Sequence, residues 1–196
     1  MDDNFSSRVK DVITYSKEEA LRLGHDFIGT EHLLLGILRD GGGKAISILN
    51  SLEIDLNYLR KKVEILSPPN PINDFNQNHK KNLHLTRQAE RALKTTFLEA
   101  KLFQGKSINT AHLLLCILRN ENDPTTKLLI KLQIDYESVK EQFKYMITEN
   151  DENFSGIPSS ETFPDDSKED EEEPIEENPF TIKTDSKSKS GKTSAA

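Results

Sequence analysis

Apolar residues recur every three or four positions through most of the first 147 residues, and the pattern is written twice. Over about 6–22 the apolar or small positions are Val9, Val12, Ile13, Ser16 and Ala20, with Leu23 just beyond. Over about 86–102 they are Ala89, Ala92, Leu93, Thr96 and Ala100, with Phe103 beyond. This spacing predicts one helix per segment with a single buried stripe. Residues 29–40 read GTEHLLLGILRD and residues 109–120 read NTAHLLLCILRN; from Leu33 to Leu38 the first is apolar on every side. A helix of that kind belongs in the centre of its unit, with Thr30 and Thr110 as candidate N-caps. A third helix, about 44–52, follows the flexible Gly41-Gly42-Gly43, and its counterpart opens after Asp123-Pro124, with proline where a first turn tolerates it. A fourth starts at the N-cap candidates Asp55 and Asp135, where Ile54 with Leu59 and Ile134 with Val139 have the spacing of a hydrophobic staple. No convincing strand is present.

Residues 5–66 slide onto 85–146 without a gap. Glu19-Ala20 meets Glu99-Ala100, Ile28 meets Ile108, Leu49 meets Leu129, and Ile54-Asp55 meets Ile134-Asp135. A duplicated four-helix unit is the economical explanation, and it predicts an all-α fold of two tandem repeats. Each repeat alone would be marginal in size, so the two are expected to share one interface. Inside the shared dodecamer two exchanges stand out: Glu31 becomes Ala111, and Gly29 becomes Asn109.

The reading places one domain at 1–147, with repeat 1 at about 5–66, a linker at 67–82 and repeat 2 at about 85–147. The linker, SPPNPINDFNQNHKKN, has three prolines and many amides. From Thr148 to Ala196 there are 14 Asp and Glu against 5 Lys, net −9, which leaves 19 acidic and 21 basic groups in the rest of the chain. The overall −7 therefore belongs to the tail, which is expected to be a flexible, disordered spacer because it cannot bury enough apolar surface to offset its ordering entropy. A nearly neutral body without a Lys/Arg cluster argues against a nucleic-acid partner. The single cysteine, Cys116, cannot form an intramolecular disulfide, the first residues lack an apolar signal-peptide core, and no apolar run is long enough for a membrane helix. A cytoplasmic location and no membrane partner are the expectation.

Catalytic chemistry finds no foothold. A phosphate-binding loop needs G-x-x-x-x-G-K-[ST], but Gly43-Lys44 is followed by Ala45, and Gly191-Lys192-Thr193 has Ser186 where the first glycine should stand. His32 and His112 lack metal-ligand spacing and read as structural histidines. Cys116 replaces Gly36 on the second central helix and reads as a small packing residue. Neither a catalytic residue, a cofactor nor a metal is expected.

The run EEALRLGHDFIGTEHLLLGILRD, the second HLLLCILR and the two-by-four helical plan resemble the Clp N-terminal repeat domain of ClpC-type ATP-dependent unfoldases, over residues 1 to about 147. That resemblance implies a pseudo-twofold helical domain that receives protein substrates and adaptor proteins above a hexameric ATPase ring, which in turn feeds the ClpP protease. The tail looks like the linker to the first ATPase module, and the fragment itself is expected to be monomeric. A free-standing Clp-N-like regulator that docks onto a Clp ring is the alternative. In some members the glutamate of each GTEH motif holds the guanidinium of a phosphoarginine degradation tag. Glu31 matches that position and Ala111 does not, so the resemblance implies at most one such site, with exposed contacts expected around Glu31, Thr30 and the quasi-equivalent Thr110.

Overall fold

The computed structural model describes residues 4–70, 83–105 and 107–152. The expected linker beyond residue 70 and the expected flexible tail beyond 152 lie outside the described residues. The fold is all-α. Helices α1 (Ser7–Arg22), α2 (Thr30–Asp40), α3 (Gly43–Ser51) and α4 (Leu56–Leu66) form the first repeat; α5 (Arg87–Leu102), α6 (Thr110–Leu118), α7 (Pro124–Lys131) and α8 (Tyr136–Glu152) form the second. The last helix runs past the expected boundary at 147.

Local chemistry fixes the helix starts. Side chains of Ser6 and Thr86 accept the amides of Val9 and Ala89, and Asp55, Asp123 and Asp135 accept those of Tyr58, Thr125 and Ser138. Two expectations change here. The N-caps of α2 and α6 are Gly29 and Asn109; Thr30 and Thr110 are the first helical residues, and their hydroxyls bond groups of the other repeat. The three glycines after α2 are also placed rather than slack: Gly41 takes the left-handed conformation at φ 66° and its N–H caps the Ile37 carbonyl.

The packing interlocks the repeats. Helix α1 lies on α2 and α5 on α6, as the duplicated pattern implies, but the third helices cross over: α3 packs mainly on α6 and α8, and α7 packs on α4 as well as on its own α6. Polar contacts mark each exchange. The Thr30 hydroxyl donates to Asp123 Oδ1 at 2.9 Å and lies 3.0 Å from the Thr125 hydroxyl, while Thr110 Oγ1 accepts the Ala45 amide at 3.1 Å. Each central helix thus begins against the start of the other repeat's third helix.

A second exchange corrects the strand-free expectation. Phe27–Ile28 (β1) pairs in parallel with His84–Leu85 (β2), and Phe5 bridges Ile108 in the same sense. The amides of Thr86 and Ser6 bond the carbonyls of Ile28 and Ile108, both at 2.9 Å. Shifted by the repeat length, these are one contact made twice: the head of each repeat is tied to the segment before the other's central helix. Two-residue strands carry no period that a sequence could show.

The core is continuous through both repeats. Leu34, Leu35, Ile37, Leu114, Leu115, Ile117 and Leu118 are buried as expected; Leu38 is only half-buried, in the last turn of a helix that runs on to Asp40. Gly36 lets α1 lie close: a Cβ there would stand 2.6 Å from the Val12 carbonyl oxygen. In repeat 2 Cys116 fills that position, buried, with its thiol pushed up to about 12 by burial. It is inert packing.

Candidate functional site

The starts of α2 and α6 repeat one device around a buried histidine. His32 Nδ1 accepts the Gly29 amide at 2.9 Å, and His112 Nδ1 accepts the Asn109 amide at 3.0 Å. With Nδ1 an acceptor, each neutral ring carries its hydrogen on Nε2. In repeat 1 that hydrogen faces His25 Nδ1 at 2.8 Å, and His25 Nε2 reaches the Pro68 carbonyl at 3.0 Å, a chain that ties the start of α2 to the segment leaving α4. In repeat 2 the counterpart of His25 is Gly105, and His112 Nε2 has no hydrogen-bond partner; its ring stands edge-on to Phe143, with centroids 5.2 Å apart. Burial holds both imidazoles at a pKa of about 4, well below the ordinary histidine range. These are structural caps, as the sequence implied.

Glu31 sits over the same helix start. A Cβ on Gly29 would stand 2.3 Å from Glu31 Oε2, so the glycine is what lets the carboxylate fold back over the first turn. Burial raises its pKa and Asp123 adds to the rise, while its own backbone amide, His25 and the Ser67 hydroxyl favour the charged form. In repeat 2 the Asn109 side chain occupies that place, Oδ1 accepting the amides of Ala111 at 2.9 Å and His112 at 3.4 Å. The two exchanges in the dodecamer are therefore one: an acceptor oxygen for the free helix amides comes from residue 31 in the first copy and from residue 109 in the second. The Glu31 side chain is 16% exposed.

Thr30 and Thr110 are not exposed contacts. They are 3% and 1% exposed and hold the repeats together. Beside Glu31, the half-buried His25 and Ser67 are its polar neighbours on the outer side.

A second pair of buried charges went unread in the sequence. Glu19 and Glu99, 2% and 1% exposed, sit at the ends of α1 and α5. Glu19 is held by Arg22 at 2.7 Å, Arg39 at 3.3 Å and Arg60 at 3.5 Å; Glu99 is held by Arg119 and by the Tyr136 hydroxyl at 3.2 Å. The available signal was the identity of both partners in both copies, Glu19 with Glu99 and Arg39 with Arg119. These clamps join the first helix of each repeat to its central helix.

Comparison with known proteins places this fold in a family. Residues 4–157 match the family profile described as the Clp repeat (R) N-terminal domain. The chain belongs to this Clp N-terminal repeat family. It is 35% identical over 143 residues to a probable ATP-dependent Clp protease ATP-binding subunit of Chlamydia pneumoniae, covering 72% of this chain and 16% of that protein. It is 30% identical over 147 residues to the negative regulator of genetic competence ClpC/MecB of Bacillus subtilis strain 168, covering 75% and 17%. The Clp N-domain described here thus spans about a sixth of the length of these relatives. Among solved structures it resembles the N-domain of ClpV from Vibrio cholerae, with a TM-score of 0.61 and 13% identity over 74% of this chain and 86% of that one. It also resembles the N-terminal domain of the chaperone ClpD from Arabidopsis thaliana, with a TM-score of 0.55 and 16% identity over 74% and 95%. Those likenesses establish the fold. Among the described residues of this Clp N-domain no three His, Cys, Asp or Glu side chains converge as metal ligands would, and no helix is long and apolar enough to cross a membrane.

Proposed function

We propose that this Clp N-domain is the docking module for substrates and adaptors of a ClpC-type AAA+ unfoldase, acting in the cytoplasm with the ClpP protease in protein quality control. The observation that carries the reading is that the matched relatives include a Clp protease ATP-binding subunit, of which this domain accounts for 16%. His32 and His112 are engaged in capping, and Cys116, Thr30 and Thr110 in packing, which fits a receptor rather than a catalyst. The chain is expected to bind a chemically unfolded model protein in fluorescence anisotropy, to ignore the same protein when native, and to hydrolyse no ATP. Equal binding to both forms, or turnover of ATP, would refute the reading.

Within that reading Glu31 is the residue for a phosphoarginine-type tag. Its carboxylate is partly exposed, and a carboxylate accepts charge-assisted bonds from a planar guanidinium. Ala111 offers no acceptor, and Asn109 Oδ1 is already engaged by two amides. Calorimetric titration of free phosphoarginine should give one site per chain. Removing one partner of a desolvated charge pair costs about 2–5 kcal/mol, so Glu31→Ala should abolish detectable heat, while loss of a capping acceptor costs the fold only about 1 kcal/mol. Two equal sites, or a Glu31→Ala variant that binds as wild type, would overturn the assignment.

A further inference from the structure

The duplication allows each surface position to be compared with its twin 80 residues away, and one pair of twins has parted. Outside the Glu19 clamp, repeat 1 closes the gap between the ends of α1 and α4 with a salt-bridge clasp: Arg22 meets Glu64 at 2.5 Å, and Arg60 lies 3.6 Å from the same carboxylate. In repeat 2 the twin of Arg22 is Leu102 and the twin of Glu64 is Lys144. No clasp can form. A cleft of about 350 Å³ is open there instead, lined by Leu102, Phe103, Arg119, Tyr136, Lys140 and Lys144.

The chemistry of the cleft is mixed in a specific way. Leu102 is 66% exposed, and beside it on α5 Phe97 and Leu98 are 46% and 49% exposed, where repeat 1 carries Lys17 and Glu18. An apolar stripe therefore leads into the cleft on one repeat only. On the opposite wall stand three cations. Arg119 is committed to Glu99 and Lys140 pairs with Glu137, while Lys144 has no carboxylate partner among the described residues. Glu137 and Glu141 are the acids nearest this wall on α8, and both are exposed.

We propose that the cleft between the C-terminal ends of α5 and α6 and the first turns of α8 is a docking surface for a partner segment that presents an apolar side chain flanked by carboxylates. The apolar side chain covers Leu102 and Phe103, and a flanking carboxylate meets Lys144. Charge complementarity selects an acidic segment over a basic one, and the inverted twin, Glu64 against Lys144, explains why repeat 1 offers no equal site. The proposal rests on the docking reading above, to which it adds a place and a partner chemistry.

The test uses the full chain and two fluorescein-labelled decapeptides, each with two central leucines, one flanked by Asp and Glu and the other by Lys. The double variant Leu102→Arg/Lys144→Glu writes the repeat 1 clasp into repeat 2, a pair the fold already accommodates, and Lys144→Glu alone serves as the milder change. The acidic peptide is expected to bind wild type at least tenfold more tightly than the basic one, to weaken as salt is raised, and to lose at least tenfold in the double variant, with Lys144→Glu in between. Equal binding of both peptides, or unchanged binding in the folded double variant, would overturn the proposal. So would wild-type self-association that the double variant abolishes, which would give the cleft to a second copy. Capture of an unfolded model protein, measured in parallel, separates the two claims: if it persists while the acidic peptide fails to bind, only this inference falls.

Discussion

Stability is expected to fall steeply as the pH drops from 6.5 to 4. His32 and His112 are buried as neutral rings with pKa values of about 4, whereas the unfolded chain titrates them near 6.5. A histidine whose folded pKa is depressed leaves the native state fully stable above the unfolded value. Protons then bind the unfolded chain first as the pH falls, and stability is lost until the folded pKa is reached. Each ring accounts for about 3 kcal/mol over that window, an order-of-magnitude figure. Glu31, its pKa raised, acts in the opposite sense: its contribution is present at low pH and is lost as the pH rises through its folded value, so it offsets part of the fall. Urea unfolding at intervals between pH 7 and 4 measures the sum. In His112→Asn, whose amide oxygen keeps an acceptor for the Asn109 amide, the slope below pH 6.5 should drop to about half. A flat profile, or a slope untouched by that substitution, would show that the rings are not buried as neutral caps.

The second large effect separates two arginines that occupy twin positions. Arg119→Ala removes the cation that faces Glu99 and leaves a carboxylate 1% exposed with only the Tyr136 hydroxyl. An uncompensated buried charge costs about 3–5 kcal/mol. Arg39→Ala leaves Glu19 between Arg22 and Arg60, so the loss should resemble that of a surface pair, about 1 kcal/mol or less. Thermal unfolding of the two variants should therefore differ severalfold in their loss of stability, although the sequence around each arginine is nearly the same. Equal losses would mean that Tyr136 alone satisfies Glu99.

Much of this domain was legible before any coordinates. The three-to-four spacing, written twice, placed the helix starts within a residue or two, because an amphipathic stripe is a direct consequence of burial. The N-caps Asp55 and Asp135 were legible for the same reason, since an aspartate before an apolar run has few other uses, whereas Asp123 was read only as the residue before a helix-opening proline. What escaped was everything that depends on the other repeat. Thr30 and Thr110 read as N-caps because threonine favours that position, yet the competing use of their hydroxyls, tying one repeat's central helix to the other's third helix, lies about 95 and 65 residues away in the chain. The parallel bridges at Ile28 and Ile108 are two residues long and leave no pattern. Glu31 and Gly29 stood out in the sequence as two separate exchanges, but the pairing of the carboxylate with the missing Cβ of Gly29 appears only when both helix starts are seen together. The divergence at Leu102 and Lys144 was present in the aligned repeats, and it acquires a meaning only once Arg22 and Glu64 are seen to touch.

Docking is the central claim, and the direct measurement is a graft. Residues 4–152 replace the matched N-terminal region of the Chlamydia pneumoniae Clp protease ATP-binding subunit, and ATP-dependent degradation of an unfolded model protein is followed with its protease partner. The account predicts that the chimera degrades the substrate at a rate near that of the intact relative, while a form lacking the N-terminal region is slower. A chimera that folds, by circular dichroism, but degrades no faster than the truncated form would contradict it.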